Sequence, residues 1–183
     1  MTPRIAPPSA VAGWTLVENL VVLAILGLSL TLALPSFGDY LTRRRLEGCS
    51  QQLVADLQEL RSRTIAAGQP LRLRIQSDTR TSCYLIHSGE PDSCSCLPAD
   101  AASACRPDSQ ILRSTTVPVS SGLRLSSNVA TVVVDPRHGT FSPALSIDLA
   151  SGDGSLKLRH VVSILGRVRL CMVSGRMGTI PAC

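Results

Sequence analysis

Two arginines near the C-terminal end of the chain, Arg167 and Arg169, follow Gly166 with one residue between them. In a β-strand, side chains two residues apart project from the same face, so these guanidinium groups would lie ~6–7 Å apart. Successive phosphates of a nucleic-acid strand have a similar separation, and each guanidinium can hold a phosphate through two hydrogen bonds. Gly166 would allow a tight turn before the strand. The spacing therefore favours contact with a phosphate backbone.

The charge of the C-terminal region supports the same interpretation. The chain has a net charge of +5, and its 18 basic residues include a single lysine. No acidic residue follows Asp153, whereas the basic residues Lys157, Arg159 and Arg176 join the two arginines there. Binding through such side chains is sensitive to salt and nearly independent of base sequence. Only 3% of the residues are aromatic, so few side chains could stack on unpaired bases. This favours duplex DNA over a single strand.

The alternative is that Arg167 and Arg169 form the solvated face of an amphipathic strand. Arginines also alternate with apolar residues at Arg72, Arg74 and Arg124, where the same explanation applies. His87, His138 and His160 stand in separate segments and are expected to be structural or exposed. Neither a catalytic serine–histidine–acid arrangement nor a metal-binding cluster is evident, and we expect no catalytic residue, no metal and no cofactor.

The elements that must carry these residues follow from the hydrophobic period. Apolar residues at three- and four-residue steps predict an amphipathic helix that ends at Gly68-Gln69-Pro70, with Glu47, Gln51, Asp56 and Glu59 on its other side. The predicted apolar stripe consists of Leu46, Cys49, Leu53, Leu57, Leu60 and Thr64. From Leu71 onward the period changes to two, which predicts strands at 71–75, 123–125, 131–134, 145–149, 156–162 and 167–171. Residues 88–113 look like a long irregular loop.

The N-terminal region combines a small-residue site at Gly13 with an apolar segment behind it. Residues 14–38 contain one charge, Glu18, and are long enough to span a bilayer. A carboxylate at that position is costly in lipid, unless it merely reaches the membrane edge. The following Arg43-Arg44-Arg45 would be cytoplasmic by the positive-inside rule, whereas the cysteines favour an oxidising compartment, so the two signals conflict.

Gly13, an aromatic residue, then Thr-Leu-Val-Glu and an apolar helix with Pro35 resemble the type IV prepilin signature. The resemblance implies that a prepilin peptidase cuts after Gly13 and methylates Trp14, where Phe or Met is usual. It also implies that Glu18 pairs with the N-terminus of a neighbouring pilin, and that Pro35 kinks the helix. The domain would then be periplasmic, anchored in the inner membrane by a single pass, and later part of a pilus fibre or tip at the cell surface.

Arg137-His138-Gly139-Thr140-Phe141 and Gly166-Arg167-Val168-Arg169 resemble the GspH/FimT branch of that superfamily. The second element is similar to the GRxR motif associated with DNA binding in FimT-like minor pilins. The resemblance implies an α+β pilin-like fold, with a long N-terminal helix packed on a C-terminal antiparallel β-sheet domain. The expected organisation is a leader at 1–13, a transmembrane and pilus-core helix at 14–38, its amphipathic continuation at 39–68, and a β-rich domain at 69–183.

Six of the seven cysteines lie beyond the apolar segment in loop-like or chain-end positions, which predicts disulfides in an oxidising compartment. Cys171 and Cys183 bracket a short tail and are favoured as a pair. Two more bridges of open connectivity would join the remaining candidates, Cys83, Cys94, Cys96 and Cys105. The spacing of Cys94 and Cys96 does not fit a zinc knuckle, and Cys49 is left as a thiol on the helix.

Two functions are compatible with this sequence, and neither is enzymatic. The first is a minor type IV pilin that binds duplex DNA non-specifically through the C-terminal arginines and contributes to DNA uptake in natural transformation. The second is a structural minor pilin or type II secretion pseudopilin that primes fibre assembly without binding DNA. Both imply other major and minor pilins, the prepilin peptidase and the inner membrane as partners.

Overall fold

The structure, a computed structural model, describes residues 13, 15–97 and 104–183, apart from the side chains of residues 32–36. The chain divides into two compact units, Met1–Leu41 and Thr42–Cys183. Within the described residues it forms a helix followed by eleven strands and a 3-10 turn. These are α1 Leu16–Ala67, β1 Leu71–Ser77, β2 Thr81–His87, β3 Cys94–Ser95, β4 Ala104–Cys105, β5 Ile111–Pro118, the 3-10 turn Val119–Ser121, β6 Leu123–Ser127, β7 Thr131–Val134, β8 Phe141–Ser142, β9 Leu145–Ser151, β10 Lys157–Val162 and β11 Val168–Ser174.

Helix α1 ends where the sequence predicts. Gly68 adopts a left-handed conformation (φ +64°) and its N–H donates to the carbonyl oxygen of Thr64 at 3.1 Å, which caps a carbonyl of the last turn. Pro70 follows and cannot continue the helix. The backbone is helical through Pro35. In the described part of the chain, no helix is long and apolar enough to cross a membrane.

Most of the predicted leader lies outside the described residues. Residues 1–12 and the expected new N-terminus, Trp14, belong to that undescribed part. The leader therefore stays a prediction. The membrane-spanning segment at 14–38 and its kink also stay predictions, although residues 16–38 are described as part of α1.

The second half of the helix packs on the β-rich part of the chain, as the predicted stripe requires. Five of its six members are fully buried and Cys49 is half-buried. One residue assigned to the opposite side of the helix, Asp56, is instead buried, with 1% of its surface exposed. Its carboxylate accepts hydrogen bonds from the hydroxyl of Tyr84 at 2.6 Å and the amide of Gln52 at 2.9 Å, and pairs with Arg113 Nε at 2.9 Å.

Two antiparallel sheets complete the domain, and the predicted α+β, pilin-like fold class is confirmed. The five-stranded sheet has the order β5-β2-β1-β7-β8 and the four-stranded sheet the order β11-β10-β9-β6. Apolar residues from α1 and from both sheets form one continuous core. The sheets are also linked by a hydrogen bond, since Leu125 N–H in β6 donates to Ser82 Oγ in β2 at 3.0 Å.

The predicted loop at 88–113 is partly regular. It contains the short pair β3 and β4, and its last residues already belong to β5. The disulfide Cys83–Cys96 tethers the loop to β2, and Cys94–Cys105 joins β3 to β4 within it. These cysteines form or border a small second core. Arg72 donates to the Gly89 carbonyl, and Arg74 pairs with Asp92 at 2.5 Å. These two strand arginines therefore hold the loop and are not a solvated face.

Candidate functional site

Gly166 and Arg167 end the turn that joins β10 to β11, and Arg169 is the second residue of β11. The last pair of the ladder is Val162 with Val168, and five residues close the turn. Ser163 N–H donates to the Arg167 carbonyl at 3.0 Å, and Gly166 N–H donates to the Ser163 carbonyl at 2.8 Å. Gly166 has φ +76°, a conformation that favours glycine. The predicted turn before the arginines is therefore present, although the strand begins at Val168 rather than Arg167.

Arg167 and Arg169 are both exposed, and Val168 between them is half-buried, so the two arginines share the outer side of the hairpin. The guanidinium of each makes no hydrogen bond or ion pair to any residue that the structure describes. Two cationic groups thus stand on one hairpin with their hydrogen-bond donors free for an external anion. Phosphate and carboxylate are the anions whose geometry matches a guanidinium.

Lys157 and Arg159 occupy the same outer face but are already paired. Arg159 contacts both oxygens of Asp148 in β9, at 2.7 and 2.9 Å, and Lys157 Nζ lies 3.0 Å from the same carboxylate. The hydrogen bond from Arg159 holds the pKa of Asp148 below its ordinary value. Since Asp148 neutralises one of the two positive charges, the pair adds a net charge of only one beside Arg169.

Arg176 lies beyond the opposite end of β11, seven steps of roughly 3.3 Å along the strand from Arg167 to Ser174. Its carbonyl accepts a hydrogen bond from Arg43 on α1 at 3.4 Å. The structure thus separates Arg176 from the hairpin turn. Of the three supporting charges predicted from the sequence, Lys157 and Arg159 are paired with Asp148 and Arg176 lies at the far end of β11.

The C-terminal tail covers part of the outer edge of β11. Met172 N–H donates to the Pro181 carbonyl at 2.8 Å, and Cys183 N–H donates to the Met172 carbonyl at 3.0 Å. The disulfide Cys171–Cys183, the pair favoured from the sequence, fastens this contact. The tail leaves the first residues of β11, including Arg169, uncovered by strand pairing among the described residues.

A second turn lies beside the hairpin. It runs from Asp135 to Thr140 between β7 and β8, and Asp135 Oδ1 accepts the backbone N–H groups of Arg137 at 3.0 Å and His138 at 2.9 Å. These hydrogen bonds lower the pKa of Asp135, and the one from the His138 N–H has the largest effect. Phe141 N–H donates to the Ile164 carbonyl at 2.7 Å, which joins the two turns. The side chains of Arg137 and His138 are exposed.

Ser50 and His160 form a buried polar pair in the domain. His160 and Ser50 face each other across the core at 2.8 Å, and burial lowers the pKa of His160. Both side chains are buried, so this pair offers a substrate no access. Within the described residues no group of three or more His, Cys, Asp and Glu side chains is placed to hold a metal ion.

The described N-terminal residues give Glu18 a local role that the sequence reading did not recognise. Thr15 precedes the helix, and its hydroxyl oxygen accepts the backbone N–H of Glu18 at 3.2 Å. Thr15 is therefore the N-cap, and Glu18 lies at the third helical position, where a carboxylate favours the positive end of the helix dipole. Gly13 is exposed. In the sequence, the pattern Thr-x-x-Glu before an apolar run is the feature that indicates such a helix cap.

The comparison with known families accounts for most of the β-rich region. The model of the type II transport protein GspH matches residues 50–166, which is more than half of the chain. The chain belongs to the GspH family. The match ends at Gly166, so it includes the turn that carries Arg137 but not Arg167 or Arg169.

Two solved structures resemble part of this chain. One is the minor pseudopilin EpsH of the type 2 secretion system of Vibrio cholerae, with 18% identity over 70% of this chain and 98% of that one, and a TM-score of 0.46. Another is the type IV minor pilin FimU of Pseudomonas aeruginosa, with 19% identity over 70% and 89% of the two chains and a TM-score of 0.47. No curated protein matches the chain.

The chain is thus a relative of the type II transport protein GspH over residues 50–166. Sequence reasoning predicted that Arg167 and Arg169 project together but missed Asp148, whose position opposite Arg159 depends on strand register. It also missed the contact between the two turns, which depends on a hydrogen bond between distant segments.

Proposed function

We propose that this minor pilin binds duplex DNA through Arg167 and Arg169 and contributes to DNA uptake in natural transformation. The observation that carries the proposal is the pair of exposed guanidinium groups without a described partner on the β10–β11 hairpin. Their two-residue spacing suits successive phosphates of one strand. The likeness to the GRxR element of FimT-like minor pilins supports the same role.

Binding of this kind reads the backbone and not the bases. It would take DNA of any sequence, which suits the uptake of DNA from outside the cell. The resemblance at Gly13, Trp14 and Glu18 completes the proposal: a prepilin peptidase cuts after Gly13, and the subunit passes from the inner membrane into a pilus, where Glu18 pairs with the N-terminus of a neighbour. The capping contact from Thr15 would then hold Glu18 at the helix start.

The test is DNA binding by the full chain in a non-ionic detergent, measured by fluorescence anisotropy with a duplex of about 20 base pairs at several salt concentrations. We expect Arg167→Ala/Arg169→Ala to lower the affinity on the order of tenfold or more, because charge-assisted hydrogen bonds to phosphate are lost. The slope of log K against log salt should become shallower by roughly two.

The matched control is Arg106→Ala/Arg124→Ala, which removes two exposed arginines far from the hairpin turn in sequence and lowers the net charge equally. It should bind like the parent. Equal losses in both double variants would show a general charge effect, and equal binding by parent and Arg167→Ala/Arg169→Ala would contradict the proposal.

A second candidate is a structural subunit that primes assembly of a type IV pilus or a type II secretion pseudopilus without binding DNA. The observation in its favour is the tip of the same hairpin, where Ile164 and Leu165 are 58% and 71% exposed. Apolar side chains in such a position are typical of contacts with other proteins. A parent chain that does not retain DNA, but still enters fibres, would support this function.

A further inference from the structure

Arg61 on helix α1 is held between the two turns described above. Its side chain fills the space that a Cβ would need at either glycine: a Cβ on Gly139 would lie 2.8 Å from Arg61 Nε, and a Cβ on Gly166 would lie 3.3 Å from Arg61 Cδ. Both glycines have positive φ, +64° and +76°. The two turns therefore form a slot that fixes the stem of this arginine.

The charge of Arg61 has no counterpart in the described protein. The side chain is half-buried, and its Nε is fully buried with no hydrogen-bond partner. The nearby acid on the same helix, Glu59, pairs with Arg63 at 2.6 Å and with Arg113 at 3.2 Å instead. A cation that is partly desolvated and unpaired is costly, which indicates that an anion completes its environment.

Two further cations flank this position. Arg137 belongs to the turn that contains Gly139, and Arg167 follows Gly166 directly. The hydrogen bond from Phe141 to Ile164 keeps the two turns together, and the Phe141 ring would lie 3.0 Å from a Cβ on Gly166. Helix, β7–β8 turn and β10–β11 hairpin thus each bring an arginine to the same end of the domain.

Asp135, the acid of these two turns, leaves most of this positive charge uncompensated. Asp135 faces its own turn, where Oδ1 accepts two backbone N–H groups and lies 3.1 Å from His138 Nδ1. Arg61, Arg137, Arg167 and Arg169 against one carboxylate leave a net charge of three. A surface of that charge, built from three elements, is wider than the single row that a strand alone would present.

We propose that Arg61, with Arg137 beside it, is a further phosphate-binding residue of the surface that Arg167 and Arg169 begin. This inference rests on the proposed function and adds to it: one duplex contacts the helix and both turns, and the glycine slot fixes the guanidinium of Arg61 before DNA arrives. A guanidinium positioned in this way loses little conformational freedom on binding.

The experiment uses the full chain in non-ionic detergent and the same duplex, with Arg61→Gln as the test and Arg63→Gln as the control. Both changes remove one positive charge from neighbouring positions of α1, but Arg63 is ion-paired. We expect Arg61→Gln to lower the affinity on the order of tenfold and the salt slope by about one. Arg63→Gln should bind like the parent.

A thermal melt of each variant and the variant Arg61→Lys separate charge from packing. Lysine keeps the charge and most of the stem, so it should restore most of the salt slope. If Arg61→Lys binds as weakly as Arg61→Gln, the loss comes from altered packing of the two turns, and the inference is overturned.

The failures of the two proposals are distinguishable. If the parent chain binds no duplex, the proposed function fails and this inference fails with it. If Arg167→Ala/Arg169→Ala weakens binding while Arg61→Gln does not, only this inference is overturned. Vesicles of phosphatidylglycerol provide the remaining comparison: loss of vesicle binding in Arg61→Gln with unchanged DNA affinity would assign the surface to lipid headgroups and would also overturn it.

Discussion

At the scale of single residues, Asp56 shows how a charge can belong to the core. It lies one position before Leu57 on the helix, at the border of the apolar stripe, where the sequence pattern assigns it to solvent. Its partners come from β2 and β5, two strands that lie far away in the sequence. Burial, and then the hydrogen bond to Asp56, raises the pKa of Tyr84 above its ordinary value. The carboxylate therefore links α1 to the edge of the five-stranded sheet.

We expect Asp56→Ala to lower the free energy of unfolding by about 2–3 kcal/mol, because the buried hydroxyl of Tyr84 loses its acceptor and Arg113 loses one of its two acids. Glu59→Ala is the control. It removes the other acid that pairs with Arg113, but from a partly exposed position, so its cost should be about 1 kcal/mol or less. Urea unfolding followed by circular dichroism measures both. Equal costs would mean that burial of Asp56 does not matter.

The arginines of the candidate site show what residue-level reasoning can and cannot provide. Exposure of Arg167 and Arg169 follows from alternation with Val168, so the sequence alone predicts it. The neutralisation of Arg159 does not follow, because a shift of one residue in the β9–β10 register would move Asp148 to the other face. Arg61 was equally inaccessible, since its neighbours Gly139 and Gly166 are separated from it by more than seventy residues.

At the scale of elements, the period of the hydrophobic pattern decides which strands the sequence predicts. β1, β9 and β10 have one buried and one open face, and their alternation of apolar and polar residues predicts them. β2 is buried along its whole length and shows no alternation, so it was missed. β5 is not predicted either: its first three residues lie in the predicted loop, and no strand is predicted over the rest, although pairing with β2 stabilises it.

The tail beside β11 provides an element-scale prediction. We expect Cys171→Ser/Cys183→Ser to cost about 2–4 kcal/mol, because the bridge closes a short loop and restricts the unfolded chain. The amides of Met172 and Cys183 should also exchange faster with solvent, since both hydrogen bonds to the tail depend on it.

Cys49→Ala is the matched change at a thiol that forms no bridge. It should leave the exchange of those two amides as in the parent. Unchanged protection in the double variant would mean that backbone pairing alone holds the tail to β11.

At the scale of the whole molecule, every residue of the two hydrophobic cores belongs to the unit Thr42–Cys183. The described part of the other unit contributes none, and its apolar side chains from Leu16 to Leu30 are exposed. The second unit therefore contains a hydrophobic core of its own.

We expect residues 42–183 to fold alone, with the three disulfides formed and a melting temperature within a few degrees of that of the full chain. Residues 69–183 are the control. They lack the helix and leave the core without Leu46, Leu53, Leu57 and Leu60. Replacing one buried leucine by alanine typically costs about 2–5 kcal/mol. Calorimetry and size-exclusion chromatography test this expectation, which fails if the longer fragment also remains unfolded or aggregates.

The slot around Arg61 constrains how related sequences can diverge. A Cβ at position 139 would lie 2.8 Å from both Arg61 Nε and Ile65 Cδ1, and a Cβ at position 166 would lie 3.0 Å from the Phe141 ring and 3.3 Å from Arg61 Cδ. A shorter residue at position 61 would relieve only part of this crowding, because Ile65 and Phe141 remain and the positive φ of each turn still disfavours any residue with a Cβ. Among homologues, positions 139 and 166 should therefore stay glycine even where position 61 varies.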